Sequence, residues 1–321
     1  MLEISYESEG FPAGGPVANG VGILQTSWDD LLWAAVTVGR PNRHYVFRHG
    51  LASRYEALFR WSLVRMALEQ SGPSAYRLRR TAAAKTLDPS EKGAVNYFLG
   101  LAICKLFADS LLNVPWMIHL DVFRPTLDPL LKGRSRPDLI GQNLSGEWVV
   151  LECKGRASEP NGLAKDKAKE QAQRVISVSG AVPSLSVGGI TYFRNDVLEF
   201  FWRDPPVEPE RVERPIEVVV EPRDWRHYYM PLLEVIRSEP TVFDRMLREP
   251  APMRIEALDL EISIHPRLFR ALSEERWTEA RGFGDESVND VAQGEYHRDG
   301  IRVKAGPTWL RPFEDEGAER T

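Results

Sequence analysis

The chain has 321 residues, 43% of them hydrophobic and 27% charged, a globular composition with enough apolar surface for a sizeable core, which excludes a disordered or fibrous polymer. Its two cysteines, Cys104 and Cys153, are too few for a disulfide framework or a zinc site, and both lie in apolar runs that favour reduced, buried thiols. Acidic residues, Glu3 and Glu7, stand where a signal peptide carries basic ones, and no uninterrupted apolar run nears about eighteen residues, so a cytoplasmic protein with no membrane partner is expected.

The first twenty residues contain Gly10, Pro12, Gly14, Gly15, Pro16 and Gly20, a density of helix and strand breakers that predicts an irregular arm. Ser27-Trp28-Asp29-Asp30 then offers an N-cap with acidic first-turn residues ahead of an apolar helix. A second helix is expected from Leu51 to Gln70, and a third from Ser90-Glu91 to Leu112, so the first third should be mainly helical. From Arg40 to Lys85 the chain holds ten Lys or Arg against Glu56 and Glu69, a basic stretch suited to a polyanion. His44 and His49 lie within it, at a spacing that fits a solvated or phosphate-facing pair better than a metal site. The Tyr, Trp and Phe residues of the helices before residue 70 could stack on unpaired bases, although aromatic residues at helical spacing are usually core.

After Pro115 the pattern changes to strands: Trp116 to Phe123, Pro137 to Gln142 and Glu147 to Lys154, the last two joined as a hairpin through Asn143-Leu144-Ser145-Gly146. A polar-faced helix from Ala164 to Ser177 follows, then strands from Gly188 to Phe193 and Val197 to Trp202 with a turn at Arg194-Asn195-Asp196. The expected class is α/β, a mixed central sheet flanked by helices. Around Asp204-Pro205-Pro206 the composition shifts to Pro and Glu, which predicts a linker. Beyond it come a strand at Ile216 to Val220, a helix at Trp225 to Ser238, and a strand at Leu258 to Ile264. Residues 205–321 hold 25 acidic against 17 basic residues. The expected organisation is residues 1–87 as a helical region with the basic stretch, 88–203 as the core, and 204–321 as an acidic α+β extension acting as a lid, an oligomer contact or a specificity element.

Glu152 and Lys154 are two apart in a strand and so share a face, while Cys153 points to the other. Val149, Val150, Leu151 and Cys153 make the run apolar on both faces, which places the charged pair at the end of an interior strand. Charges there are costly unless they pair or bind a metal, and Gly155 allows another backbone or a ligand to approach. Antiparallel pairing brings Asp138 near the end of the Glu152 strand. Asp138, Glu152 and the Cys153 carbonyl then form an oxygen set suited to Mg²⁺ or Mn²⁺, and Lys154 can orient or deprotonate a water and stabilise charge on a phosphate. The competing account is a structural Glu152–Lys154 ion pair, with Asp138 merely opening a strand after Pro137. His119 and Asp121 share a face of the first strand and could support the site, or His119 could be a satisfied core histidine.

Pro137-Asp138 followed by Glu152-Cys153-Lys154 resembles the PD-(D/E)xK nuclease superfamily, the restriction-endonuclease-like fold. Each half of the motif occurs once in the chain. The resemblance covers residues 88–203 and implies an αβββαβ core and a divalent-metal-dependent endonuclease acting on DNA, in restriction or anti-phage defence. It also implies a Gln or Lys on the helix after the third strand. Gln171 is the catalytic candidate, and Lys167, Lys169, Gln173 and Arg174 are candidates for nucleic-acid contact. Lys167, Gln171 and Arg174 share one face and Lys169 and Gln173 another, and the inward face is left open. An extra acidic or polar residue on the first helix falls to Glu91, with Asn96 and Asp109 as rivals, although an N-cap or surface role is the commoner one for each. The alternatives are a non-catalytic nucleic-acid-binding or assembly subunit and an RNA-directed nuclease, with a homodimer or partner protein engaging the carboxy-terminal region.

Overall fold

The computed structural model describes residues 1–38, 51–70, 76–123, 136–204, 212, 214–239, 242–243, 245–246, 251–286, 295–311 and 313. The elements in chain order are β1 (Leu2–Glu9), β2 (Gly20–Thr26), α1 (Trp28–Thr37), α2 (Leu51–Ala67), β3 (Leu68–Gln70), β4 (Leu78–Arg80), α3 (Ala82–Thr86) and α4 (Pro89–Leu112). Next are β5 (Trp116–His119), β6 (Leu139–Gln142), β7 (Trp148–Gly155), α5 (Gly162–Ala172), β8 (Val175–Val178), β9 (Leu185–Arg194) and β10 (Val197–Arg203). The last part holds β11 (Ile216–Val218), α6 (Arg226–Arg237), β12 (Met253–Ile255), β13 (Leu260–Ile264), α7 (Pro266–Ser273), α8 (Trp277–Glu286) and β14 (Ile301–Ala305).

The protein is mixed α/β. A nine-stranded sheet runs β2-β1-β10-β9-β7-β6-β5, with the β3–β4 pair attached at β10. The β5–β6–β7 meander is antiparallel, β9 lies parallel to β7, and β10 returns antiparallel to β9. Asn195 and Asp196, both at positive φ, form the two-residue turn between β9 and β10, as the right-handed strand twist requires. Helix α4 packs on one face of β7 and β9, and α5 on the other.

Each packing contact depends on a glycine. A Cβ on Gly100 would lie 2.8 Å from the Gly155 nitrogen, and one on Gly155 would overlap the Asn96 carbonyl, so α4 meets β7 backbone to backbone at the end of that strand. On the opposite face a Cβ on Gly188 would lie 2.6 Å from the Lys169 nitrogen, which sets the depth of α5. Helix α4 starts at an Asp88 capping box with Pro89 in its first turn and stops at Asn113 in the left-handed region, φ 56. Its 24 residues are long and apolar enough to cross a membrane by length and composition. Here, 72% of the apolar window is buried inside the protein.

The amino-terminal arm is corrected to a strand. All the breakers begin at Gly10, whereas residues 2–9 alternate, with Leu2, Ile4 and Ser8 buried. β1 lies parallel to β10 and antiparallel to β2, and the Gly/Pro segment is the loop between β1 and β2, held by the Ser8 hydroxyl donating to the Ala18 carbonyl at 2.6 Å. With β3 and β4, residues 1–87 supply four strands of the main sheet alongside the helices α1, α2 and α3. Three boundaries also shift: Leu120–Phe123 turn as a 3-10 helix, α5 ends at Ala172 so that Val175–Val178 can pair with β11, and α2 gives way to β3 at Leu68. The expected linker lies outside the described residues apart from Asp204, which is buried.

Buried side chains from Leu2 to Trp309 form one continuous apolar cluster. The carboxy-terminal part therefore shares the core of the sheet.

Candidate functional site

The β6–β7 register pairs Leu139 with Leu151. Beyond that rung Pro137 has no N–H to donate, so the ladder stops there. The Asp138 carboxylate takes over, its Oδ2 accepting from the Cys153 amide at 2.9 Å, while the Asp138 amide donates to the Leu151 carbonyl at 3.1 Å. The proline opens the strands and the aspartate holds them at the opening.

Strand alternation turns Glu152 and Lys154 to one face, where the Lys154 ammonium pairs with Glu152 Oε1. Cys153 turns to the other, buried beside Cys104, and burial pushes its thiol well above the usual range. Glu152 is 1% exposed and Lys154 39%, so the carboxylate lies at the bottom of the site and the ammonium at its mouth. Glu152 Oε2 is buried with no hydrogen-bond partner among the described residues.

Burial, and then the Asp138 charge, push the Glu152 carboxyl up to about 8 against the partial relief of Lys154 and the Gln171 amide. Asp138 is raised to about 6 by burial, opposed by the Cys153 amide and the Lys154 charge. Lys154 is raised, burial being outweighed by Glu152 and Asp138. Two carboxyl groups thus crowd one buried volume with a single ammonium beside them. Such a pair retains a proton near neutrality unless another cation enters.

Of the α5 candidates, Gln171 is buried and acts on Glu152. Lys167, one turn earlier on the same face, is exposed. Lys169 is corrected: it is buried, its ammonium 2.6 Å from Asp204 Oδ1 and also donating to the Ser186 carbonyl. It anchors α5 to the sheet and cannot reach a phosphate. Gln173 is the C-cap residue of α5 and half-buried, and Arg174 donates to the Arg214 carbonyl at 3.1 Å.

On α4, Glu91 takes the cap role and not a place in the site, its exposed carboxylate accepting from the Asp88 amide at 3.2 Å. Asn96 is buried with its main chain against Gly155. Asp109 lies near Lys105, His297 and Asp299, in a different part of the molecule. The α4 residue that feels the site is Tyr97, whose hydroxyl is raised by burial and by the charges of Asp138, Cys153 and Asp121. It went unnoticed because it carries no formal charge. The signal was its place one residue after Asn96.

His119 is buried, and desolvation lowers its imidazole to about 4, so it is neutral near pH 7. Its Nδ1 accepts from the Asp121 amide at 3.3 Å. Asp121 pairs with Arg136, which immediately precedes the Pro137-Asp138 step and ties that segment to the end of β5. His44 and His49, with Arg40, Arg43 and Arg48, lie outside the described residues. Among the described residues no three His, Cys, Asp or Glu side chains converge on a metal-sized volume, so the carboxylates available are the two of Asp138 and Glu152. No protein-family model, curated protein or solved structure matches the chain.

Proposed function

We propose that this protein is a divalent-metal-dependent endonuclease of PD-(D/E)xK type acting on DNA. The observation that carries the reading is the buried Glu152 Oε2, without a hydrogen-bond partner among the described residues, in a carboxyl that feels the Asp138 charge and pairs with Lys154. A carboxylate so placed is costly unless a cation joins it. The order of α4, the β5–β6–β7 meander, α5 and a parallel β9 fits the αβββαβ core that the motif implies.

The donor set fits a hard cation: two carboxylates, with the Cys153 carbonyl on the same strand edge as the amide that Asp138 accepts. Mg²⁺ or Mn²⁺ held by Asp138, Glu152 and that carbonyl would supply Lewis-acid activation of water and neutralise charge on the scissile phosphate. The chain does the rest. Asp138 keeps the strands parted, and burial of Glu152 excludes bulk water. The half-exposed Lys154 ammonium presents positive charge where a phosphate would enter and can orient the attacking water. Gln171 steadies the charged form of Glu152, and Lys167 can hold a phosphate.

The direct Glu152–Lys154 ion pair favours a second reading, a non-catalytic subunit that binds nucleic acid or a partner protein. Incubation of supercoiled plasmid with the purified chain separates the two. The nuclease nicks DNA with Mg²⁺ or Mn²⁺, is silent in EDTA and is inactivated by Lys154→Ala. Cleavage indifferent to metal and to Lys154, or no cleavage of plasmid or of single-stranded DNA or RNA with either ion, rejects it. Preferential degradation of RNA in the same assay moves the substrate from DNA to RNA.

A further inference from the structure

The solvent stripe of α2 runs through positions 52, 55, 59 and 62, with Ala57, Arg60 and Trp61 turned inward. Two of its four positions are large aromatics, Tyr55 at 64% and Phe59 at 52% exposure. A solvent stripe is ordinarily polar. The aromatic surface continues onto α4: the Phe59 ring meets Phe98 edge-on at 5.6 Å, and Phe98 meets Tyr97 at 5.5 Å. Tyr97, 40% exposed, brings the strip to the site, because its hydroxyl lies close enough to Asp138 to feel that charge and the neighbouring Asn96 backbone abuts Gly155 at the end of β7. Single exposed apolar residues need no explanation, but a contiguous aromatic strip ending at a charged cleft does.

Cations flank this strip where it meets the site. Lys154 stands at the mouth and Arg156 is exposed immediately after Gly155. Behind the strip, the buried Arg60 guanidinium lies 6.0 Å from the centre of the Phe98 ring and pairs with Glu56, so it backs the ring and does not itself meet a nucleic-acid strand. Aromatic faces beside exposed cations suit an unpaired strand, whose bases stack while its backbone follows the charge. A duplex hides its base faces and gains nothing from such a surface.

We propose that Tyr55, Phe59 and Tyr97 form a stacking platform for unpaired bases, so that the strand led to Asp138, Glu152 and Lys154 is single-stranded. The proposal rests on the nuclease reading for its direction along the surface, yet it is tested without cleavage. Fluorescence anisotropy in EDTA, with the full chain, measures binding of a labelled 20-nucleotide DNA strand, its blunt duplex, and an RNA strand of the same sequence. The expected result is at least about tenfold tighter binding of single strands, in the DNA or the RNA arm, than of duplex. Tyr55→Ala with Phe59→Ala should weaken single-strand binding about tenfold or more, with duplex binding and thermal melting unchanged, and Phe59→Trp should retain it. Equal affinity for strand and duplex, no binding of any strand, or a double alanine variant that binds single strands as the parent does overturns the platform. Failure of the nuclease reading looks different: strands bind as described, and no divalent cation produces cleavage.

Discussion

Glu152 and Lys154 are two residues apart, yet burial separates their behaviour. Folding raises the Glu152 carboxyl from 4.5 to about 8 and Asp138 from 3.8 to about 6. Over that window the folded state keeps protons that the unfolded chain has released, so in the absence of metal these groups lower stability as pH rises toward 8. Glu152→Gln should therefore melt higher than the parent at pH 8 in EDTA, by about 2–4 °C for each kcal/mol recovered. The difference should shrink at pH 5, where the parent carboxyl is already protonated. Mg²⁺ should raise the parent's melting temperature at pH 8 and leave the Gln variant unchanged, because only a ligand-binding folded state gains by mass action. Equal melting of the two proteins at pH 8 would remove the electrostatic basis of the site. Lys154→Ala should leave the fold intact and lower plasmid cleavage by about a hundredfold or more, the scale of losing one positioned acid–base or charge-stabilising group. The spacing of Glu152 and Lys154 was legible in the sequence because a strand alternates strictly. Tyr97 and the burial of Lys169 were not, since a helix of mixed polarity does not disclose which flank of its inward face meets a buried partner.

At the scale of elements, the approach of α4 to β7 fixes where the mouth of the site lies. Gly155→Ala puts a methyl group into the Asn96 carbonyl, and relief requires separation of helix and strand beside Lys154. Overpacking of this kind costs roughly 1–3 kcal/mol, and urea denaturation should show it together with reduced cleavage. Gly93→Ala, on the same helix with no atom within 4 Å of the new methyl, should instead stabilise by roughly 0.5–1 kcal/mol. If both variants unfold at the same urea concentration, the contact is not the constraint described. The β6–β7 hairpin, α1 and α4 were legible because local chemistry specifies them: a turn at Asn143 to Gly146, a Ser27 cap and an Asp88–Glu91 box. The β1 strand was obscured by averaging it with the glycines that follow. Its parallel partner, β10, lies nearly two hundred residues away, beyond any local signal. The ends of α2 and α5 were misplaced because β3 and β8 become strands only by pairing, β3 with the nearby β4 and β8 with the distant β11.

Over the whole molecule, the sequence suggests a core with an acidic appendage, but buried chemistry unites them. Asp299 accepts from Trp33 Nε1 at 2.9 Å, from the Tyr228 hydroxyl at 2.5 Å and from the Ile301 amide at 3.0 Å. Lys105, fully buried in α4, donates to the Pro115 carbonyl, lies 3.3 Å from the Tyr228 hydroxyl, and sits 4.2 Å from the centre of the Trp33 ring. Desolvation lowers its ammonium to about 8, while Asp109 and Asp299 act to keep the charge. Trp116 Nε1 donates to Tyr229 at 2.7 Å, bringing β5 into the same network. An ammonium in the helix that packs against β7 is thus compensated in part by a residue near the far end of the chain. Removing one member of a buried charged network costs more than its net contribution, because the others remain desolvated. Asp299→Ala should therefore lose about 3 kcal/mol or more in urea denaturation, although Asp299 lies on a different element from every candidate site residue. A chain ending at Asp204 should fail to melt cooperatively, since Lys105, Trp33 and Trp116 would face water or go unpaired. If that shorter chain unfolds in one sharp transition at the parent's temperature, residues beyond 204 are an appendage and the shared core is not what stabilises the sheet.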